Sequence, residues 1–414
     1  MNTLVGYGKN KIEITIPDDR YMGTLVPNEV EIGLTGMEEV ARSLQNPIGS
    51  PKLSEIVKPG EKIVIVTSDV TRPIPSYKVL PPVLDELTKA GCSDDDITVV
   101  FALGSHGGHS EERKRSLVGD AIYDRVKCID SDMGNVKRMG VTSRGTPVDL
   151  FTPVAEADRI ICLGNIEYHY FAGYSGGAKA LMPGVSTRDA IQNNHSRMVQ
   201  PEACAGRLEG NPVREDIEEA GAIAGIDFIV NVVLNEKKEI IKSFAGDSVK
   251  AHREGCRFLD SFYAIRMEEK ADIVVVSAGG FPKDINMYQA QKALDNAKHA
   301  VRDGGIIVWV AECSEGLGEK HFEQWMTGHE KASDMITHIK KNFILGGHKA
   351  AAIALVLERA RIFFVSGFES DFVRSMFLEP YSDVQAAIDA AMEIIPDGRV
   401  LVMPYGGSTL PRVK

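Results

Sequence analysis

A glycine-rich stretch between residues 168 and 184 carries the first side chains that could do chemistry. It reads YHYFAGYSGGAKALMPG and contains His169 and Lys179. A P-loop needs its lysine directly after the glycine turn and a hydroxyl residue next, but here Ala178 precedes the lysine and Ala180 follows it. This pattern argues against nucleotide hydrolysis. A lysine among small neighbours can instead act as an amine nucleophile, and the alternative is that the loop is only a tight connection.

Three histidines stand where an imidazole would be useful. His106 and His169 each follow an apolar run directly, so a general acid or base could be held at a strand end. His195 should lie on a helix, because Ser186 and Asp189 form an S-x-x-D helix start. It could bind a metal, but no H-E-x-x-H or C-x-x-C motif lies nearby to complete a protein-only zinc site. For each histidine, a packing or surface role is the open alternative.

Two further segments carry groups that suit an anion. SDVTRP, residues 68–73, contains Arg72, whose forked guanidinium can bind a carboxylate or a phosphate. The alternative for this loop is a simple salt bridge. In NMYQAQK, Gln289 and Lys292 share one helix face, close to a helix N-terminus that favours anions. The alternative for that face is plain solvation.

Seven short apolar runs alternate with helical patterns and predict the scaffold that positions these groups. The runs cover residues 62–67, 97–103, 159–163, 272–277, 305–311, 361–366 and 399–403. Near-continuous apolar strands between helices are typical of a buried parallel sheet in an α/β fold. Polar segments follow the first four runs, and ligands bind outside the carboxyl ends of strands in such sheets. We therefore expect the candidate side chains to gather at that edge.

The length of the chain, 414 residues, predicts two domains. The charged stretch RMEEKA, residues 266–271, precedes a fresh strand and marks the expected boundary. We assign residues 1–268 to an N-terminal domain, which the C-terminal tail 399–414 could join, and residues 269–398 to a C-terminal α/β domain. Each domain should contain a mostly parallel sheet flanked by helices.

Composition argues against several classes of function. A net charge of −11 disfavours nucleic acid, although a few cations in a cleft could still bind a small anion. The six cysteines form no C-x-x-C pair, which argues against zinc knuckles and iron–sulfur clusters and suits a reducing cytosol. No apolar run approaches the ~20 residues of a membrane span, and the N-terminus has no apolar core of signal length. We expect a soluble, cytoplasmic protein without membrane or nucleic-acid partners.

Six stretches, in this order, resemble the nickel-dependent lactate racemase family. They are SDVTRP, LGSH, EYHYFAGYSGGAKALMPG, NNHSR, GNPVREDIEEA and GGFPKDINMYQAQKALDNA. The family's cofactor is a nickel-pincer nucleotide, a pyridinium mononucleotide with two thio-acyl groups and a carbon–nickel bond. The resemblance implies a 2-hydroxyacid racemase or epimerase that abstracts and returns a hydride through this cofactor. It also implies an active site in the interdomain cleft, with the cofactor and the catalytic groups on the N-terminal domain.

Carried over position by position, the resemblance gives each candidate a role. Lys179 would tether the cofactor through a thioamide, and His195 would be the single protein ligand of nickel. His106 and His169 would be the paired acid and base. Contacts to the mononucleotide part would come from Asp69, Val70, Thr71 and Arg72. Substrate contacts would come from Arg72, Tyr288, Gln289 and Lys292.

The same resemblance defines the expected partners. They are a small 2-hydroxy acid and, transiently, the enzymes that build the cofactor. A homo-oligomer is one option for the quaternary state.

Two places depart from the family pattern. After His106 the chain reads Gly107-Gly108-His109, where the family usually has an arginine, so the site should lose a positive group and gain a histidine at its rim. The motif GHK at 347–349 is followed by three alanines, where the lactate enzyme has an aromatic pocket wall. Both changes should reshape the pocket. A larger 2-hydroxy acid, such as malate or a sugar acid, is therefore expected as readily as lactate.

Two other functions stay open at this point. A zinc-type metallohydrolase or lyase would use His106, His109 and His169 as ligands, and metal analysis would distinguish its zinc from nickel. A non-catalytic protein would bind a nucleotide or an anion at the glycine loops.

Overall fold

The computed structural model describes residues 1–72, 74–235 and 237–413, so Pro73, the last residue of SDVTRP, lies outside the described residues. The strands are β1 (Asn2–Tyr7), β2 (Asn10–Thr15), β3 (Tyr21–Thr24), β4 (Ile63–Ser68), β5 (Ile97–Ala102), β6 (Lys127–Asp130), β7 (Val136–Val141), β8 (Pro147–Phe151), β9 (Arg159–Asn165), β10 (Tyr168–His169), β11 (Gly173–Tyr174), β12 (Phe228–Leu234), β13 (Ile240–Gly246), β14 (Ala264–Met267), β15 (Ala271–Ser277), β16 (Val301–Val310), β17 (Arg361–Val365), β18 (Glu379–Tyr381), β19 (Val400–Met403) and β20 (Leu410–Val413). The helices are α1 (Gly36–Gln45), α2 (Leu53–Ile56), α3 (Ser76–Lys89), α4 (Glu111–Val118), α5 (Asp120–Tyr123), α6 (Thr152–Ala155), α7 (Arg188–His195), α8 (Pro212–Ala224), α9 (Lys250–Tyr263), α10 (Met287–Ala297), α11 (Lys320–Gly328), α12 (Ala332–Lys341), α13 (Gly347–Leu357), α14 (Ser370–Ser375) and α15 (Val384–Ile394).

One compact unit, Val30–Asp260, is built on a six-stranded sheet in the order β13-β12-β9-β4-β5-β6. All neighbours in this sheet are parallel except β13, which pairs antiparallel with β12 at one edge. Ile65, Val99, Ile161 and Val230 are fully buried in its core. The parallel order brings the ends of β4, β5 and β9 to the same edge, from which the loops with His106 and the glycine-rich stretch depart.

The other compact unit combines Met1–Glu29 with Ser261–Lys414 and contains a six-stranded, fully parallel sheet. Its order is β18-β17-β16-β15-β19-β3. Helix α10 follows β15 and packs against β15 and β16. This arrangement places Tyr288, Gln289 and Lys292 in the first two turns of α10.

The predicted α/β class is confirmed. The seven predicted apolar runs correspond to β4, β5, β9, β15, β16, β17 and β19. Their middle residues are buried because helices or hairpins cover the sheets, which is why these runs are apolar throughout instead of alternating. Among the described residues, no helix combines the length and the apolar character needed to cross a membrane.

The division of the chain differs from the predicted boundaries at both ends. Residues 1–29 belong with the C-terminal unit, whereas the prediction assigns them to the N-terminal domain. Strand β3 adds to the edge of the second sheet through β19, and Val5, Ile14 and Ile16 are buried in the same core as Ile273. The tail 399–414 also stays in this unit, because β19 pairs with β15 and β20 with β14.

Candidate functional site

Two glycines shape the loop that carries Lys179. Gly176 and Gly177 adopt positive φ angles of 77° and 60°, the left-handed region that disfavours side chains. A Cβ on Gly176 would lie 2.6 Å from the side-chain oxygen of Asn231, on β12. That same oxygen accepts a hydrogen bond from the Gly177 amide at 2.8 Å. The glycines therefore let the backbone close onto the sheet, and Lys179 follows in a short 3-10 turn.

A buried arginine holds the first half of the same loop. Arg214 on α8 is 0% exposed. Its Nε donates to the carbonyl oxygen of Ala172 at 3.0 Å, and its Nη2 donates to the carbonyl oxygen of Tyr174. Its Nη1 has no hydrogen-bond partner among the described residues. Because these acceptors are neutral carbonyl oxygens, the hydrogen bonds do not cancel the positive charge of the guanidinium, which therefore acts on the surrounding site.

The ring of Phe171 brings three of the predicted site residues together. Its centroid lies 4.5 Å from the ring of His169 and 4.9 Å from the ring of His195. The Nζ atom of Lys179 lies 5.8 Å from the same centroid. Phe171 is itself buried, at 2% exposure. The structure thus places a lysine and two histidines around one aromatic side chain.

Lys179 sits in surroundings that favour its neutral amine. Burial holds its pKa well below the ordinary lysine value, and the positive charges of Arg214 and Arg72 lower it further, with Glu167 opposing them weakly. A neutral amine has the lone pair that nucleophilic attack on an acyl group requires. The surroundings therefore suit the predicted covalent tether.

His195 ends helix α7, and a hydrogen-bond chain fixes the orientation and tautomer of its ring. The carboxylate of Asp216 only accepts, so the Asn194 side-chain nitrogen must donate to it, at 2.7 Å. The Asn194 oxygen therefore faces Nδ1 of His195, at 2.8 Å, and Nδ1 must carry the proton. In the neutral ring, the lone pair then lies on Nε2. A histidine binds a metal through a nitrogen in this unprotonated form. Thr142 and Thr146 also donate to Asp216, both at 2.6 Å, and hold the carboxylate in place.

The helix start predicted for α7 is displaced by one residue. Thr187, and not Ser186, is the N-cap, and its hydroxyl accepts from the amide of Ala190. The helix itself and the position of His195 on it are as predicted.

His106 is paired with a carboxylate. Its Nδ1 lies 2.6 Å from Oδ2 of Asp69, and Thr71 donates to both oxygens of that carboxylate. Burial raises the pKa of Asp69, but the hydrogen bonds from His106 and Thr71 bring it below its ordinary value overall. An ionised Asp69 accepts from Nδ1–H, so in the neutral ring the lone pair of His106 lies on Nε2, which can take up a proton. Asp69 thus orients His106, and its predicted contact with the cofactor's mononucleotide part stays a prediction.

His169 presents the opposite tautomer. Its Nδ1 accepts a hydrogen bond from the Ala172 amide at 3.3 Å, so the neutral ring carries its proton on Nε2. Burial, followed by the positive charge of Arg72, holds its pKa well below the ordinary value. One histidine therefore offers a lone pair and the other an N–H.

His109, predicted to lie at the rim of the site, is instead a buried structural residue. Its side chain is only 3% exposed. Nδ1 donates to Asp130 at 2.8 Å, and Nε2 accepts from the Val70 amide at 3.2 Å. Both ring nitrogens are used, so His109 fixes the loop that carries Asp69 and Arg72, and it is a poor metal ligand.

Three of the four predicted substrate residues lie on α10, in the other compact unit, whereas Arg72 lies on the loop after β4. Asn286 caps this helix by accepting from the amide of Gln289 at 2.9 Å. Gln289 is exposed, and Tyr288 and Lys292 are partly exposed. The placement of the site in an interdomain cleft stays a prediction.

The residues present fit a cofactor that brings its own metal ligands. Among residues 1–72, 74–235 and 237–413, no group of three or more His, Cys, Asp or Glu is arranged to hold a metal ion, which leaves the zinc hypothesis without a ligand set. His195 offers one oriented nitrogen, and Lys179 offers an amine. Two buried donors, Nη1 of Arg214 and Nδ2 of Asn231, adjoin the glycine loop, have no hydrogen-bond partner within the described part of the chain, and suit an anionic group.

Several of these residues escaped the sequence analysis. Phe171 and Arg214 lie inside the stretches EYHYFAGYSGGAKALMPG and GNPVREDIEEA but received no role. Asn194 directly precedes His195, and an amide beside a candidate ligand is the signal that could have found it. His252 gives no local signal. Its Nε2 donates to the Ser175 carbonyl at 2.8 Å beneath the glycine loop.

The chain is similar to known proteins along its whole length. Residues 7–206 match the family described as lactate racemase N-terminal domain, and residues 266–410 match lactate racemase C-terminal domain. The lactate racemase of Thermoanaerobacterium thermosaccharolyticum is 32% identical over 426 residues, with 100% of both chains covered. The lactate racemase of Lactiplantibacillus plantarum is 32% identical over 413 residues, covering 95% of this chain and 97% of that protein.

Solved structures give the same result. The structure of the lactate racemase apoprotein from T. thermosaccharolyticum covers 100% of both chains with a TM-score of 0.90 at 32% identity. A crystal structure of a Thermotoga maritima protein covers 92% of this chain and 100% of that chain with a TM-score of 0.64. At 18% identity, this second likeness shows the fold alone. The resemblance seen in the sequence motifs is thus confirmed over the full length.

Acidification should destabilise the fold through His252. Burial, and then the charge of Arg214, depress its folded pKa well below the unfolded value of about 6.5. The unfolded state therefore binds more protons in acid, so this stability is complete above about pH 6.5 and is lost as the pH falls below it. His252→Gln removes the titrating group. Between about pH 7 and about pH 5, the free energy of unfolding of the wild type should therefore fall by at least about 1 kcal/mol more than that of His252→Gln.

Urea unfolding across this pH range measures the difference. His321→Gln is the control, since the His321 side chain is 53% exposed. An identical pH dependence in the wild type and in His252→Gln would contradict the assignment.

Proposed function

We propose a specific reaction for this chain, which belongs to the lactate racemase family and is an isomerase. In this proposal, it racemises a 2-hydroxy acid with a nickel-pincer nucleotide bound at Lys179 and His195. The observation that carries the proposal is the grouping of His169, Lys179 and His195 around Phe171. It joins an amine, a metal-binding nitrogen and a proton-transfer group at one sheet edge.

The chemistry of the substrate explains why these groups are needed. Removing the α-hydrogen of a 2-hydroxy acid as a proton would build negative charge beside the carboxylate. Removing it with its electron pair avoids that charge, provided the hydroxyl proton leaves at the same time, and yields a planar 2-keto acid. When bound, the cofactor would supply the acceptor for this hydrogen.

Lys179 and His195 would hold the cofactor. The depressed pKa of Lys179 supplies a neutral amine for the thioamide tether. The chain Asp216–Asn194–His195 presents Nε2 in a fixed orientation, so one protein ligand suffices if the cofactor provides the remaining donors. Arg214 and Asn231 would donate to its anionic part through Nη1 and Nδ2, which have no partner among the residues that the structure describes.

His106 and His169 would handle the hydroxyl proton. Nε2 of His106 can take the proton from a substrate hydroxyl, while Asp69 stabilises the imidazolium that forms. Nε2–H of His169 can donate a hydrogen bond to the carbonyl oxygen of the 2-keto acid. The imidazolium of His106 would return the proton to the substrate oxygen when the α-hydrogen is delivered to the opposite face, so the protons balance over one racemisation.

The remaining loop residues would support binding. The Val70 amide donates to His109 and the Thr71 hydroxyl donates to Asp69, so both residues are held in place and would pack against the cofactor. Arg72 would attract both the cofactor and the substrate carboxylate, in keeping with its electrostatic effect on His169 and Lys179.

Substrate contacts from the other unit would come from Tyr288, Gln289 and Lys292 at the N-terminus of α10, a favourable position for a carboxylate. The substrate would be lactate or a larger 2-hydroxy acid such as malate or a sugar acid. The three alanines at 350–352 that motivate this expectation are buried in α13. We further propose a cytoplasmic enzyme that meets the cofactor-building enzymes transiently.

Cofactor loading tests the roles of Lys179 and His195. Protein co-produced with the cofactor-building enzymes should carry a covalent adduct on Lys179 and bound nickel, seen by peptide mass mapping and metal analysis. His195→Ala should keep the adduct, because the tether does not use the imidazole, and should lose nickel to a chelator faster than the wild type, because one ligand of the metal is gone. Active enzyme with an unmodified Lys179, or equal nickel retention in the wild type and in His195→Ala, would overturn the proposal.

Asp69→Asn tests the base assigned to His106. An amide can donate to Nδ1, which would move the imidazole proton to Nε2 and remove the lone pair that accepts the hydroxyl proton. We expect kcat to fall by about 100-fold or more with nickel content unchanged. Asp94→Asn, which alters an exposed ion pair with Arg125, is the matched control. Wild-type kcat in Asp69→Asn would show that the pair is not used in turnover.

A further inference from the structure

The segment GGHK, residues 346–349, is built to bring α13 very close to α11. Gly346 has a φ of +91°, and a Cβ there would lie 1.8 Å from a carboxylate oxygen of Glu319. A Cβ on Gly347 would lie 2.5 Å from the ring of Trp325. Neither position can hold a side chain without moving its neighbours. The two glycines therefore set where the first turn of α13 begins.

This placement brings the side chain of Lys349 into contact with Tyr288. The Nδ1 atom of His348 accepts from the Gly346 amide at 3.0 Å and so stabilises the turn. One residue later, Nζ of Lys349 donates to the carbonyl oxygen of Tyr288 at 2.6 Å. The same Nζ lies 3.9 Å from the centroid of the Tyr288 ring, a close cation–π contact.

The contact fixes both parts of Tyr288. The ammonium group holds its carbonyl in the first turn of α10 and also contacts its ring, while Phe322 packs edge-on against that ring at 5.6 Å. The next residue, Gln289, is already fixed by the Asn286 cap. Lys349 thus ties the start of α10 to α13 and adds a positive charge beside the helix N-terminus.

We infer that Lys349 is a positioning residue for the substrate carboxylate, which acts by holding Tyr288 and the first turn of α10. The inference rests on the proposed function, in which Tyr288, Gln289 and Lys292 contact the substrate. The proposed chemistry does not use the GGHK segment, and this inference gives that segment a role. Tyr288 would lose its hydrogen bond and its cation together if Lys349 were replaced, and the substrate carboxylate would lose a nearby positive charge.

A role in positioning predicts a specific kinetic pattern. Lys349→Met, in cofactor-loaded enzyme, should raise KM for the best 2-hydroxy acid about tenfold and change kcat less than about threefold, since no group that transfers a proton is altered. Lys349→Arg should keep KM within about threefold of the wild type, because a guanidinium can also donate to the carbonyl and stack on the ring. Lys340→Met removes an exposed lysine of α12 and is the matched control.

The measurements are steady-state kinetics on a panel of enantiopure 2-hydroxy acids, with thermal unfolding of each variant. An active wild type with an unchanged KM in Lys349→Met, or equal KM in Lys349→Met and Lys349→Arg, would overturn the inference and leave the proposed function intact. A wild type that carries the cofactor and racemises nothing in the panel would overturn the proposed function, and this inference with it.

Discussion

The buried charge of Arg214 is the constraint on which the candidate site depends. Enclosing a guanidinium costs free energy unless its N–H groups find acceptors, and Ala172 and Tyr174 supply two carbonyl oxygens from the glycine loop. The loop is thereby held in the shape that turns His169 and Lys179 toward Phe171. Burial lowers the pKa values of Lys179, His169 and His252, and the charge of Arg214 lowers them further, which keeps these groups neutral. Scaffold and chemistry therefore share one interaction.

Neighbouring polar groups decide the state of each imidazole in the site. A carboxylate holds His106, a backbone amide holds His169, and an asparagine side chain holds His195. In the neutral rings, these three partners place the lone pair on Nε2 of His106 and of His195 and the proton on Nε2 of His169, which suits the proposed roles of a base, a metal ligand and a hydrogen-bond donor. Single-sequence reasoning identifies the histidines, but their partners settle what each can do.

Patterns over a few neighbouring residues predicted individual strands and helices but not how distant segments pair. The strands β4, β5 and β9 follow from continuous apolar runs, and α7 follows from its capping residues, although Thr187 replaces Ser186 as the cap. Strand β12 was not predicted, and its Asn231 interrupts an apolar run in order to hold the glycine loop. The pairing of β3 with β19 joins residues almost 380 positions apart, which no local pattern encodes. The enclosure of His109 likewise depends on tertiary packing.

In the proposed mechanism the histidines move only the hydroxyl proton, while the α-hydrogen stays within the substrate–enzyme complex throughout. The decisive measurement is racemisation of an enantiopure 2-hydroxy acid in deuterium oxide, with the α-position of the product analysed by NMR or mass spectrometry. Hydride transfer predicts a product that retains its α-protium, with little deuterium incorporated. Substantial deuterium at the α-carbon would show that the hydrogen leaves as an exchangeable proton, and hydride transfer would then be wrong.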